Sequence, residues 1–150
     1  MAQSLAKIYI YLIFSTKNRK PLLSDDFREE LHNVMGGGLN NMGCQSLIVG
    51  SAGDHAHVLF MLARTKSVSD VVGKLKSTSS SWIKSRIPPS ANFEWQAGYG
   101  AFSVSQSSVE AVREYIRNQK EHHKTESFQD EFRRWLDRYE IEYDERYVWD

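Results

Sequence analysis

Residues 53–60 read Gly-Asp-His-Ala-His-Val-Leu-Phe. Side chains two apart on a strand share a face, so His55 and His57 present their imidazoles side by side, while Ala56, Val58 and Phe60 turn to the opposite face. Neighbouring imidazoles suit a divalent metal. Two histidines hydrogen-bonded at a strand edge would give the same tripeptide, and the motif alone leaves both readings open. Farther along, Tyr115 and Gln119 stand four apart in a segment with helical character, which places a phenol and an amide oxygen on one face, within a turn of each other. That pair offers a nucleophile and a further ligand. A tyrosine ring in the core and a glutamine at the helix surface would satisfy the same spacing.

The elements that must position these groups follow from periodicity. Ile8 to Phe14 alternates with β-branched and aromatic side chains on both sides and predicts a strand buried on both faces. Ser24 is the expected N-cap of a helix with Phe27, Leu31, Val34 and Met35 as its apolar stripe; Gly36, Gly37 and Gly38 should end or loosen it, yet Leu39 and Met42 prolong the stripe and leave its end open. Gln45 to Val49 and His55 to Leu62 predict an antiparallel hairpin turning through Gly50 to Asp54. Val68, Val71, Val72, Leu75, Trp82, Ile83 and Ile87 recur at helical spacing until Pro88 and Pro89. Phe93 to Val104 predicts a strand bent at Gly98 and Gly100. Ser107 and Glu110 have capping-box spacing ahead of a helix carrying Val112, Tyr115, Ile116 and Gln119. A last amphipathic helix spans Phe128 to Leu136, and Tyr139 to Asp150 shows no period. The order β-α-β-β-α-β followed by helices predicts an α+β, ferredoxin-like (split βαβ) antiparallel sheet with helices packed on it and extra C-terminal helices.

At 150 residues, 41% of them apolar and 25% charged, the chain fits one domain, residues 1–150. Cys44 is the only cysteine, which excludes an intrachain disulfide and a thiol-rich metal site. The longest apolar run, Ile8 to Phe14, is too short to span a bilayer and lacks the pattern of a signal peptide, so a cytoplasmic protein without a membrane partner is expected. The formal net charge of zero argues against indiscriminate nucleic-acid binding. Local basic clusters remain: Lys17, Arg19 and Lys20 follow the first strand, and Lys74, Lys76, Lys84 and Arg86 lie in a stretch free of acids. They allow a phosphate-binding surface, and solvated faces explain them equally well. Arg113, Arg117, Lys120, His122 and His123 flank the Tyr115 segment and receive no assigned role.

The His55-Ala56-His57 strand, the Tyr115-Ile116-Arg117-Asn118-Gln119 helix, the Phe14-Ser15-Thr16-Lys17-Asn18-Arg19 segment and the Tyr143-Asp144-Glu145-Arg146-Tyr147 ending together resemble the insertion-sequence-200-like transposases. These are single-tyrosine members of the HUH endonucleases, in which a hydrophobic residue separates the two histidines. The resemblance covers nearly the whole chain. It implies that His55, His57 and Gln119 hold a metal, Mg2+ or Mn2+, and that Tyr115 is the nucleophile. It further implies cleavage and rejoining of single-stranded DNA at hairpin-marked element ends through a 5′-phosphotyrosine. The implied assembly is an intertwined homodimer with active sites shared between subunits, exchanging through the Ser103 to Ser108 stretch; whether Tyr115 acts in cis or in trans stays open. Lys17, Arg19, Lys74, Lys76 and Lys84 are the candidates for DNA contact, on charge alone.

Three other functions compete. A ferredoxin-like nucleic-acid-binding module could stack bases on Tyr9 and Tyr11 without catalysis, but it leaves the histidine and Tyr-Gln pairs without a purpose. A domesticated HUH nickase would share the chemistry. A His-ligated zinc hydrolase would need a further strong ligand and a general base that the sequence does not place.

Overall fold

The computed structural model describes residues 2–119 and 126–150. Four strands, β1 (Tyr9–Ser15), β2 (Gln45–Ser51), β3 (His55–Met61) and β4 (Gly100–Val104), form one antiparallel sheet in the order β2-β3-β1-β4. The helices are α1 (Arg28–Asn41), α2 (Val68–Lys84), α3 (Val109–Arg117) and α4 (Phe128–Arg138). The expected split βαβ arrangement with additional C-terminal helices is the observed one. β1 lies between β3 and β4 and every one of its residues is buried, as a strand flanked and covered on both sides must be.

Directly paired residues share a face of the sheet. Ile10, Leu12 and Phe14 of β1 pair with Phe60, Val58 and Ala56 of β3, and this face receives Leu31, Met35 and Leu39 of α1 and Val71, Leu75 and Ile83 of α2. Tyr11 and Ile13 pair with Leu59 and His57 on the other face, where Val112 and Ile116 of α3 and Phe128, Phe132 and Trp135 of α4 complete a second core. Tyr9 and Tyr11 are only 8% and 0% exposed. The sheet face that would stack bases in a binding module is thus covered by the chain's own helices.

Two glycines set how closely those helices approach. A Cβ on Gly50 of β2 would lie 2.8 Å from Ile116 Cγ2, and one on Gly100 of β4 would lie 2.8 Å from the Phe132 ring. Both contacts fall below normal carbon separations, so α3 and α4 sit at depths that no larger residue at 50 or 100 permits.

Several local expectations yield to tertiary contacts. The helix expected to weaken at Gly36 to Gly38 continues through them to Asn41, because Leu31, Met35 and Leu39 are anchored in the core and their burial outweighs a propensity cost of about 1 kcal/mol per glycine. Ser24 does not cap it. Its hydroxyl accepts from Asp26 N in a preceding turn, and the helix starts at Arg28. Ser107 makes no capping box, since it lies in a 3-10 turn (Gln106–Ser108) that runs directly into α3 and its hydroxyl bonds Ser105 instead. The strand expected from Phe93 is shortened to Gly100–Val104. Trp95 makes one bridge to Thr16, after which the carbonyls of Gln96, Ala97 and Gly98 accept from Lys76 Nζ at 2.6–3.2 Å and Gly98 N donates to Asp150 O.

Candidate active site

β3 carries His55 and His57 on the face covered by α3 and α4, and both imidazoles are fully buried. Each Nδ1 is occupied by a neighbour. His55 Nδ1 meets Asp54 Oδ1 at 2.6 Å, and His57 Nδ1 bonds the Tyr11 hydroxyl. Anchored in this way, both rings direct Nε2 at one carboxylate: Glu131 Oε1 lies 3.2 Å from His57 Nε2 and 3.6 Å from His55 Nε2. Outer partners on one ring nitrogen fix an imidazole's tautomer and orientation while the other nitrogen coordinates.

Glu131 stands in the first turn of α4, whose N-cap Ser127 accepts from Asp130 N at 3.2 Å. The partial positive charge of a helix N-terminus favours a carboxylate there. With 0% exposure, an ionised glutamate would cost several kcal/mol without compensation. Burial pushes its pKa up, but the charge of His57 and hydrogen bonds from His55, His57 and Tyr115 outweigh this and hold it well below the usual carboxylate range. On His55, burial lowers the pKa and is likewise outweighed, here by Asp54 and Glu131, so the net shift is upward.

Tyr115 of α3 joins the same carboxylate. Its hydroxyl donates to Glu131 Oε2 and accepts from Arg134 Nη2 at 2.7 Å, and its ring lies 6.4 Å from that of His57. Arg134 is held in turn by both oxygens of Glu126. Burial and then the charge of Glu131 raise the phenol pKa above its ordinary value, so the hydroxyl keeps its proton in this arrangement. A cavity of about 410 Å³ opens beside Tyr115, with Arg134, Arg138 and Trp135 in its wall.

The nitrogen and oxygen donors of His55, His57 and Glu131 all fall within 4.8 Å of one another. Two imidazoles with a carboxylate fit a divalent cation of the first transition row, and the oxygen donor also fits Mg2+. Gln119, expected as the third ligand, is buried at 3% exposure and follows Asn118, the C-cap of α3. The regular helix therefore stops between Tyr115 and Gln119, and the i, i+4 spacing does not by itself fix how the two side chains relate. Glu131 was not singled out by the sequence. The signal available was an acid set within the apolar stripe Phe128, Phe132, Trp135 and Leu136.

Of the expected DNA-contacting cations, Lys17 and Lys76 line one cavity of about 660 Å³ together with Glu94 and Trp149. Lys17 pairs with Glu94 at 3.1 Å, Arg19 lies over the Trp149 ring at 5.9 Å, and Lys74 and Lys84 are exposed on α2. Lys76 is occupied by three loop carbonyls, and burial lowers its pKa to about 8. Lys120, His122 and His123 lie outside the described residues. Among the described residues no helix is long and apolar enough to cross a membrane.

Comparison with known proteins places these features in context. The sequence profile of the family described as "Transposase IS200 like" matches residues 4–119. No curated protein matches the chain. Among solved structures, a candidate transposase from Deinococcus radiodurans R1 superposes with a TM-score of 0.63 at 23% identity, covering 79% of this chain and 98% of its own. A REP-associated tyrosine transposase bound to a REP hairpin gives 0.59 at 13% identity, covering 82% of this chain and 73% of its own. At these identities the two structures attest the shared fold.

Proposed function

Because the chain belongs to the family of IS200-like transposases, we propose that it cuts and rejoins single-stranded DNA at hairpin-marked element ends, with Tyr115 as the nucleophile and residues 1–150 as one catalytic domain. The observation that carries this is the Tyr115 hydroxyl held, within one chain, by the carboxylate that also faces the buried His55 and His57. That the REP-associated relative was solved with a hairpin supports the substrate class. A reaction on the cell's DNA goes with a cytoplasmic location.

In this mechanism the Tyr115 oxygen attacks phosphorus in line, the bond to the 3′ oxygen breaks, and that oxygen takes up a proton from water to leave as a free 3′-hydroxyl beside the 5′-phosphotyrosine. The phenol is a weak nucleophile at neutral pH and needs its proton accepted as it attacks. Glu131 is the group already receiving that hydrogen bond. Arg134, 2.7 Å from the phenolic oxygen, supplies positive charge where the phosphate must arrive. His55 and His57, with Gln119, would hold Mg2+ or Mn2+, which when bound would supply Lewis-acid polarisation of a phosphoryl oxygen. Storing the bond energy in the tyrosyl ester lets a second DNA end be joined by the reverse step.

Within one chain Tyr115 bonds the carboxylate that faces His55 and His57, which supports a site acting in cis. The homodimer with shared sites is then a rearranged form, reached by exchange about the Ser103 to Ser108 turn, and the mass of the protein in solution with and without hairpin DNA tests it. The chemistry is tested by incubating the protein with each single strand of the DNA flanking its gene plus Mn2+ and looking for an SDS-resistant adduct. An adduct on one strand only, absent in Tyr115→Phe and with chelator, is expected. Hairpin binding without any adduct would instead favour a binding protein.

A further inference from the structure

We infer that Glu131 of α4 is itself a protein ligand of the divalent cation held by His55 and His57, and that its second oxygen positions Tyr115 beside that cation. This rests on the metal-dependent chemistry proposed above and extends it to a residue and a helix that the histidine and tyrosine motifs do not include.

The geometry separates the two oxygens by task. Oε1 is the one facing both Nε2 atoms, and Oε2 is the one accepting from the Tyr115 hydroxyl. Asp54 and Tyr11 bond the two Nδ1 atoms, both Nε2 atoms face Oε1, and one donor atom from each of the three side chains lies within 4.8 Å of the others. A carboxylate adds the negative charge that a site of two neutral imidazoles lacks and that Mg2+ and Mn2+ favour over an amide oxygen. Glu131 is also placed without slack. Phe128, Phe132 and Trp135 of the same helix are buried around it, and the Phe132 ring rests against Gly100 of the sheet. A side chain so confined holds its distances to both histidines and the tyrosine together, which is what positioning of a nucleophile requires.

The test uses the full chain without DNA. Mn2+ is titrated in and the free ion followed by its EPR signal, for the wild type, Glu131→Gln, Glu131→Asp and His57→Ala, with near-UV circular dichroism verifying that each variant is folded. The wild type should bind one Mn2+ that His57→Ala abolishes, and Glu131→Gln should weaken that binding by about tenfold or more, with Glu131→Asp between. Binding by Glu131→Gln equal to the wild type overturns the inference while leaving the histidine site standing. Absence of any His57-dependent Mn2+ binding in the wild type overturns the metal-dependent reading and the inference with it. A crystal of the unaltered protein soaked in Mn2+ decides the matter independently of any variant. An anomalous peak at ligand distance from Glu131 supports the assignment, and a peak on His55, His57 and Gln119 but away from Glu131 refutes it.

Discussion

The two faces of the sheet solve different problems with the same strands. On the α1 and α2 face, Leu12, Phe14, Val58 and Phe60 meet apolar helix stripes. On the α3 and α4 face, an apolar core of Tyr11, Ile13, Leu59 and Phe102 surrounds two histidines, a glutamate and a tyrosine. Burial stabilises the first face directly. On the second, each polar group is tolerable only because another group compensates its desolvation. The faces also treat histidine oppositely. His32 of α1, bonded to Ser51 Oγ at 2.8 Å, has its pKa lowered to about 4, by burial and then by Arg28. On His55 the acids Asp54 and Glu131 overcome burial and raise it. One face maintains a neutral ring, and the other gathers charge.

If the faces divide stability from chemistry in this way, substitutions should separate the two. The largest effect is expected from Tyr115→Phe, which leaves no detectable DNA adduct while unfolding in urea shifts by only about 1.5–3 kcal/mol, the worth of a hydrogen bond to a charged acceptor. Leu12→Ala on the opposite face should do the reverse, costing about 2–5 kcal/mol in the same unfolding measurement while adduct formation per folded molecule is unchanged. Comparable loss of chemistry from Leu12→Ala would break the division. Gly50→Ala should fall between, costing about 1–3 kcal/mol through overpacking against Ile116 and reducing adduct yield as α3 is displaced. The smallest effect concerns pH. The folded state disfavours the charged form of His32, so its contribution to stability is present above the unfolded pKa of 6.5 and falls as pH drops toward about 4. Thermal melts of His32→Gln should therefore decline less steeply than those of the wild type across that window. Equal slopes would mean that His32 contributes nothing to acid lability.

Much of this was visible beforehand because it depends on local chemistry. Period-two alternation marked β1, and the i, i+2 rule put His55 and His57 on one face whatever the remainder of the fold. Helical spacing marked α2, which ends at Lys84, short of Ile87 and Pro88. Elements whose fate depends on remote contacts were less legible. Gly36 to Gly38 stay helical because Leu31, Met35 and Leu39 reach a core assembled from distant strands. Residues 96–98 leave the sheet because Lys76, some twenty residues earlier, takes their carbonyls.

The same division runs through the site. Residue type and spacing put the two imidazoles on one face of a strand and the tyrosine on a helix, relations set by backbone geometry over a few residues, while the family resemblance gave them their expected roles. Glu131 is 74 residues from His57 in the chain, with an ordinary amphipathic helix around it, and no local period connects them. Only the packing of α4 onto Gly100 and the β3 face brings its carboxylate between the histidines and the tyrosine, because a long-range approach is decided by which surfaces fit together.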